Sequence, residues 1–474
     1  MQDVSSDSTA VDRAGRIETR GIGFIAADER HGRPFELFWV WFSSNLAYLY
    51  ILFGGILILS GLTILQAIVL ILVGNLFYII VGVIATAGPT YGTATANITR
   101  LMFGARANKG LAGVPSWALA VAFEAIDLSI CIFAGLALLN IVGIHSDTPV
   151  KVAVFIVVGV VTFSVGILGH ATIVRVTQMV AGVLVVAVLI LFFFTMTHAN
   201  FAYQPMHPLS GLAAFGAICL GLTLIVSGPL TWVNAPAEYA RYLPNDTSRR
   251  AVVLWTSLGG WIASSFLAII GVLAGTVVNM SDPETAMRSI MPGWFYPVFL
   301  ILIIVGTVLN NVLGIYVSGL ALQIVGIPWR RSRTVFIDCL IGGALTVYAV
   351  FVSNFLTTLS NFLTILEVWF APFAGVFVAH LILTRRVGRA AIAYDDARAE
   401  IVSAPAVVWR GVIALLVGLG FAIPCANTTY WQGPISDALK GADLAPYVGF
   451  VVAAVTYAVA HRVMHRVSSA SPIE

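Results

Sequence analysis

Apolar runs long enough to cross a bilayer recur twelve times along this chain, and no other feature restricts its fold as tightly. A hydrocarbon core of ~30 Å takes roughly 20 apolar residues in a helix, and backbone groups with no water to bond forbid open strands there. The runs fall at about 36–59, 62–87, 114–140, 149–168, 173–197, 211–233, 251–278, 294–324, 335–352, 355–383, 409–426 and 444–463. Composition closes off the soluble alternatives. Charged residues make up 10% of the chain and hydrophobic ones 59%, whereas a soluble domain carries about 25% charged. The expected fold class is an all-α polytopic membrane protein with twelve transmembrane helices.

Charge placement orients the helices. If the N-terminus lies inside, 22 of the 25 Lys and Arg residues fall in cytoplasmic segments, leaving Lys151, Arg288 and Lys440 outside. A wrong helix count would mix the two sets, so the split supports twelve spans with both termini cytoplasmic in a plasma (inner) membrane. Residues 1–34 read as a polar cytoplasmic tail without a signal peptide, and 464–474 as a second short tail. The net charge of +3 suggests no nucleic-acid partner. Cys131, Cys219, Cys339 and Cys425 each sit in an apolar run and read as small core residues. His461 and His465 flank Arg462, a basic cap rather than a metal site. No zinc-protease, nucleophile-elbow or P-loop motif occurs, so the expectation is no enzyme, no metal and no cofactor.

Two runs carry breaks that a plain anchor does not need. Ser43-Ser44-Asn45 interrupts the first, and Ser227-Gly228-Pro229 the sixth, where proline removes a backbone donor. An interrupted helix in lipid is tolerable where its freed carbonyls and amides face a cavity, an ion or a ligand. Asn45 and Pro229 are 184 residues apart, as are Asp127 and Asn311. Residues 35–197 and 211–383 therefore read as two five-helix units in register, the second inverted because five is odd, with 409–463 adding two helices. Inverted repeats with broken first helices are a route to alternating access around a midplane site.

Few carboxylates lie deep in the runs: of 22 acidic residues only Glu124, Asp127 and Glu367 do so. A charge at that depth costs at least ~2.5–3.5 kcal/mol on insertion scales, so such groups face cavities or partners. Glu124 and Asp127 share a helical face with Phe123 nearby. Asn310-Asn311 places amides in the eighth run, and Trp232 directly follows the sixth-run break. Phe123, Trp232, Asp127 and Asn311 together offer two aromatic faces and a hydrogen-bonding edge, a set that suits a flat polar heterocycle.

The segments GRPFELFWVWFSSNL, GPTYGTATANITRLMFGARANKG, APAEYARYLPNDTS and NFLTILEVWFAPFAG, in that order, resemble the nucleobase–cation symporter-1 family, its purine–cytosine permease branch above all. The resemblance covers the first ten runs. It implies a leucine-transporter-like fold of five-plus-five inverted repeats with two extra helices. It also implies that the family's stacking aromatics fall on Phe123 (where a Trp is usual) and Trp232, and its substrate-reading amides on Asp127 and Asn311. The polar position in the first break is Ser44 or Asn45, and Asn361, Phe362 and Leu363 resemble the external gate. Two departures stand out. Asp127 is acceptor-only when ionised, which favours a donor-rich or cationic substrate edge. Val305 and Gly306 occupy the positions where the family's sodium site has hydroxyls.

The expectation is therefore a secondary-active importer of a nucleobase of the cytosine and purine class. Phe123 and Trp232 would clamp the ring, with Asp127, Asn311, Asn45 and Ser44 along its edge. Proton coupling through Asp127 or Glu124 is favoured over sodium, since carboxyls taken out of water hold protons more readily. Alternatives are a sodium-coupled carrier of allantoin, a hydantoin or a vitamin, and a membrane sensor that binds without transporting. The expected partners are the small heterocycle and the lipid bilayer, with no obligate protein partner.

Overall fold

A computed structural model describes residues 22–470 apart from 167–169, 207, 282–285, 328, 330, 353–354, 387–393 and 429. The longer helices are α1 (Glu36–Ser44), α2 (Tyr48–Leu59), α3 (Ile64–Gly74), α4 (Tyr78–Ala85), α5 (Val114–Ile141), α6 (Thr148–Gly166) and α7 (His170–His198). They continue with α8 (Gly211–Leu230), α9 (Arg249–Gly275), α10 (Phe295–Val325), α11 (Arg331–Phe351), α12 (Phe355–Arg386), α13 (Trp409–Ala422) and α14 (Ala445–Ala470). Among the described residues, eight helices are long and apolar enough to cross a membrane, α1 and α2 form one span bent by 58°, and three shorter apolar helices follow the remaining runs. Each of the twelve runs thus contains helix, the first two as broken pairs.

The first break forms where the sequence loses its apolar run. Ser44 donates to the Val40 carbonyl at 2.6 Å and Ser43 to that of Trp39 at 2.7 Å, competing with the helix's own amides. Asn45 then leaves helical geometry, and α2 restarts after Ala47, whose backbone is extended. The freed groups are met by side chains. Asn45 Nδ2 donates to the Trp41 carbonyl at 2.7 Å, while its Oδ1 accepts from Tyr50 at 2.5 Å and also from Tyr78. A buried amide satisfied at both ends holds the bend in one geometry.

The second break is displaced from its expected position. Pro229 lies inside the last turn of α8, and the chain leaves the helix after Leu230, through 231–235 into the short helix Pro236–Ala240. Ser227 and Gly228 stay helical, with Ser227 bonded back to the Leu224 carbonyl at 2.6 Å. Pro229 has no N–H for the Ile225 carbonyl and crowds it, so the ladder is interrupted in this turn and the helix ends one residue later.

Packing brings the elements of the two units together. α5 lies along α10, and α1 and α2 lie along α9. Glycines allow the α2–α9 approach: a methyl group at Gly54 would stand 1.9 Å from the Ala268 carbonyl oxygen, and one at Gly271 2.0 Å from that of Ile51. The last helices, α13 and α14, pack on α12.

Candidate functional site

Where the two breaks face α5 and α10, the helices leave a cavity. Its walls come from the first break (Ser44, Asn45, Ala47), the second (Thr231, Trp232, Asn234, Ala235), α5 (Phe123, Asp127) and α10 (Asn310, Asn311, Gly314), with Tyr50 of α2 beside them. Its empty space, counting the open mouth, is about 670 Å³. All six residues expected at a substrate site (Ser44, Asn45, Phe123, Asp127, Trp232 and Asn311) stand on this one wall.

Their hydrogen bonds divide them. Asn310 Nδ2 donates to Asp127 Oδ2 at 2.9 Å, so it is Asn310 that holds the carboxyl group. Asn311 Nδ2 turns away, donating to the Glu124 carbonyl at 3.3 Å. The side-chain carbonyls of both asparagines are buried without a partner. The cavity edge is therefore rich in acceptors: Asp127 and two amide oxygens. Asn45 lines the wall with its donor and acceptor already occupied, so its amide fixes the bend and has little left for a ligand.

The aromatic walls are braced from behind. Trp232 meets Trp41 edge-on, with ring centroids 5.4 Å apart and planes at 87°. Phe123 meets Phe362 at 6.1 Å and 67°, which links the cavity to the expected gate on α12. Leu363 is buried in the core, and the Asn361 side chain lies outside the described residues.

Sequence reasoning passed over several groups. Tyr50, Thr231 and Asn234 line the cavity, and their nearness to the two breaks was the available signal. Glu124 does not line it; this side chain is fully buried on another side of α5. The count of three deep carboxylates was too low, because Asp338, four residues into its run, is also 0% exposed. A close neighbour of the missing sodium hydroxyls exists as well: Thr307 is buried with its hydroxyl unpartnered, beside Gly306, where a methyl group would stand 3.3 Å from the Leu46 carbonyl of the first break. Among the described residues no group of three or more His, Cys, Asp or Glu side chains is placed to hold a metal ion.

The chain's likeness to known proteins follows the same architecture. Residues 24–459 match the family model described as permease for cytosine/purines, uracil, thiamine and allantoin. A putative purine-cytosine permease of Bacillus subtilis, YxlA, is 25% identical over 460 residues, covering 93% of this chain and 95% of the relative. The purine-cytosine permease fcyB of Emericella nidulans is 23% identical over 470 residues, covering 93% and 87%. Among solved structures, Mhp1, a nucleobase-cation-symport-1 family transporter in a closed conformation with bromovinylhydantoin bound, superposes with a TM-score of 0.74 at 16% identity, over 94% of this chain and 96% of that one.

Proposed function

Because the chain belongs to the family of permeases for cytosine/purines, uracil, thiamine and allantoin, we propose that it is a secondary-active importer of nucleobases and not an enzyme. One observation carries the reading: a single cavity is walled by both helix breaks, two aromatic side chains and an acceptor-rich edge. A flat ring lies between Phe123 and Trp232 and presents its donors to Asp127, Asn310 and Asn311. Asn310 occupies one carboxylate oxygen and leaves the other for the substrate. The two unpartnered amide oxygens add further acceptors.

An acceptor-rich edge favours amino-bearing bases. Cytosine carries an exocyclic amine where uracil carries an oxo group, so uracil would set oxygen against oxygen. A hydrogen bond to a charged group contributes about 1.5–3 kcal/mol, which corresponds to about ten- to a hundredfold in affinity. Orientation follows the charge distribution: both termini lie in the cytoplasm, in a plasma membrane, and the units 35–197 and 211–383 rock around the site.

Protons drive the cycle in this reading, since among the described residues no basic side chain is paired with the carboxyl groups of Asp127 and Glu124. A sodium reading has its own support in the buried, unpartnered Thr307 hydroxyl and the Leu46 carbonyl beside Gly306. Proteoliposomes separate the two. Uptake of radiolabelled cytosine and adenine should follow an imposed pH gradient in sodium-free buffer and collapse with a protonophore. Uptake that requires sodium under the same pH gradient would transfer the coupling to the second reading. No uptake of any nucleobase, with binding intact, would leave a sensor.

A further inference from the structure

Behind the cavity, on the face of α5 that packs against α11, lies a second polar group of side chains. Glu124 is 0% exposed, and neither of its carboxyl oxygens has a hydrogen-bond partner. It points at Gly342 of α11, where a methyl group would stand 3.2 Å from Oε2, so glycine makes the room this carboxyl occupies. One turn earlier on α11, Asp338 is also fully buried, but it is well supplied with donors. Ser318 of α10 donates to its Oδ2 at 2.6 Å and Trp117 of α5 to its Oδ1 at 2.9 Å.

The asymmetry is chemical. Glu124 ionised, with neither oxygen in a close hydrogen bond and only the Ser318 hydroxyl standing near it, leaves a poorly solvated buried charge, whereas the neutral acid carries no such penalty. Two donors, one on each oxygen, stabilise the ionised form. Among the described residues no cation offsets the pair: the electrostatic neighbours of Glu124 are Asp338, the Ser318 hydroxyl and Asp127. Cys339 of α11 also faces it. Ionisable groups on the other packed elements are engaged elsewhere: Tyr316 of α10 with Arg241, Glu367 of α12 beside Asp443, Lys109 against Gly326, and Lys151 near the start of α6.

We infer that Glu124 and Asp338 form a proton-binding site separate from the substrate cavity. Asp127 lies one turn from Glu124 toward the cavity, and Trp117 lies two turns away toward the start of α5. The three carboxyl groups therefore form a file from the cavity toward the end of the bundle that carries Arg100, Arg106 and Lys109. Glu124 holds the proton as a carboxylic acid. On release, its O–H bond breaks and the proton passes to the Ser318 oxygen as the Ser318 hydroxyl gives its own proton to Asp338 Oδ2, leaving Glu124 ionised, Ser318 intact and Asp338 neutral. The inference rests on the transport reading for its purpose, and on the geometry for the site itself.

Infrared difference spectra of the purified full chain at neutral pH, in water and in deuterium oxide, test the site without any substrate. The wild type minus Glu124→Gln difference should contain a deuterium-sensitive carbonyl band of a protonated carboxyl group; its absence would overturn the inference. Should Glu124→Gln fail to fold, Asp338→Asn decides in proteoliposomes. With one proton per base, a pH gradient of one unit supports about tenfold accumulation of cytosine or adenine. Asp338→Asn should lose that accumulation while counterflow of the same base continues. Accumulation equal to wild type would remove the pair from the proton route and leave import standing. If neither base enters with the wild type, the transport reading fails, and the infrared band still decides the site.

Discussion

Asn310 governs what Asp127 can offer, since its amide holds one carboxylate oxygen at 2.9 Å. Replacing it with alanine removes a bond worth about 1.5–3 kcal/mol to a charged partner. Asn310→Ala should raise the KM for cytosine by at least about tenfold, as measured by initial uptake rates; an unchanged KM would show that Asp127 needs no positioning. Asp127→Asn should abolish accumulation driven by a pH gradient and still permit exchange, because an amide can contact the ring without carrying a proton. Accumulation to the wild-type level in that variant would exclude Asp127 from coupling. The sequence made Asp127 and the asparagine pair visible as polar groups in apolar runs. It did not reveal which asparagine faces the carboxyl, because that depends on the rotation of α10 about its axis relative to α5. Asp338 was not singled out for a related reason: it stands near the start of a run, and it is α10 and α5 that cover it.

Breaks and close approaches act at the scale of the helices. Asn45 bridges Trp41, Tyr50 and Tyr78, so the bend between α1 and α2 is a built feature. The apolar runs and the first break were legible because each depends on local sequence alone. The end of α8 was placed a few residues early because Pro229 can sit in a last helical turn, and only the tertiary contacts of 231–235 decide where the helix stops. At the α2–α9 contact there is no space for a side chain at Gly54. Gly54→Leu should destabilise the protein by at least ~1–3 kcal/mol, seen as a lower Tm in detergent; an unchanged Tm would mean the two helices separate freely. Asp443, in the loop between α13 and α14, adds a pH dependence. Burial raises its carboxyl from 3.8 to about 6, against the amide donations of Ala445 and Asn427. The folded chain thus binds this proton more tightly than the unfolded chain. The contribution is complete below 3.8 and is lost as the pH rises through about 6. Unfolding measured between about pH 4 and 7 should show a loss on the order of 2 kcal/mol that Asp443→Asn removes. An identical slope in the variant would contradict the assignment.

For the molecule as a whole, the two breaks matter because they meet. One comes from the start of the chain and the other from its middle, yet Ser44, Asn45, Thr231 and Trp232 share one cavity wall with Phe123 and Asp127. In a carrier, such a cavity can open to either side if the helices around it tilt as units, and the α5–α10 and α2–α9 contacts give those units stiff seams. The 184-residue spacing hinted at this convergence before any contact was known. It could not say that the aromatic and acceptor groups would share a wall, since that needs all four helices in place. In the proposed reading transport depends on Trp232, which forms part of the second break and is braced by Trp41 of the first helix. The most direct test is uptake by Trp232→Ala in proteoliposomes, with insertion checked by the amount of folded protein recovered. Cytosine and adenine uptake should fall to background at wild-type protein levels; uptake with unchanged KM and rate would contradict a ring held in this cavity.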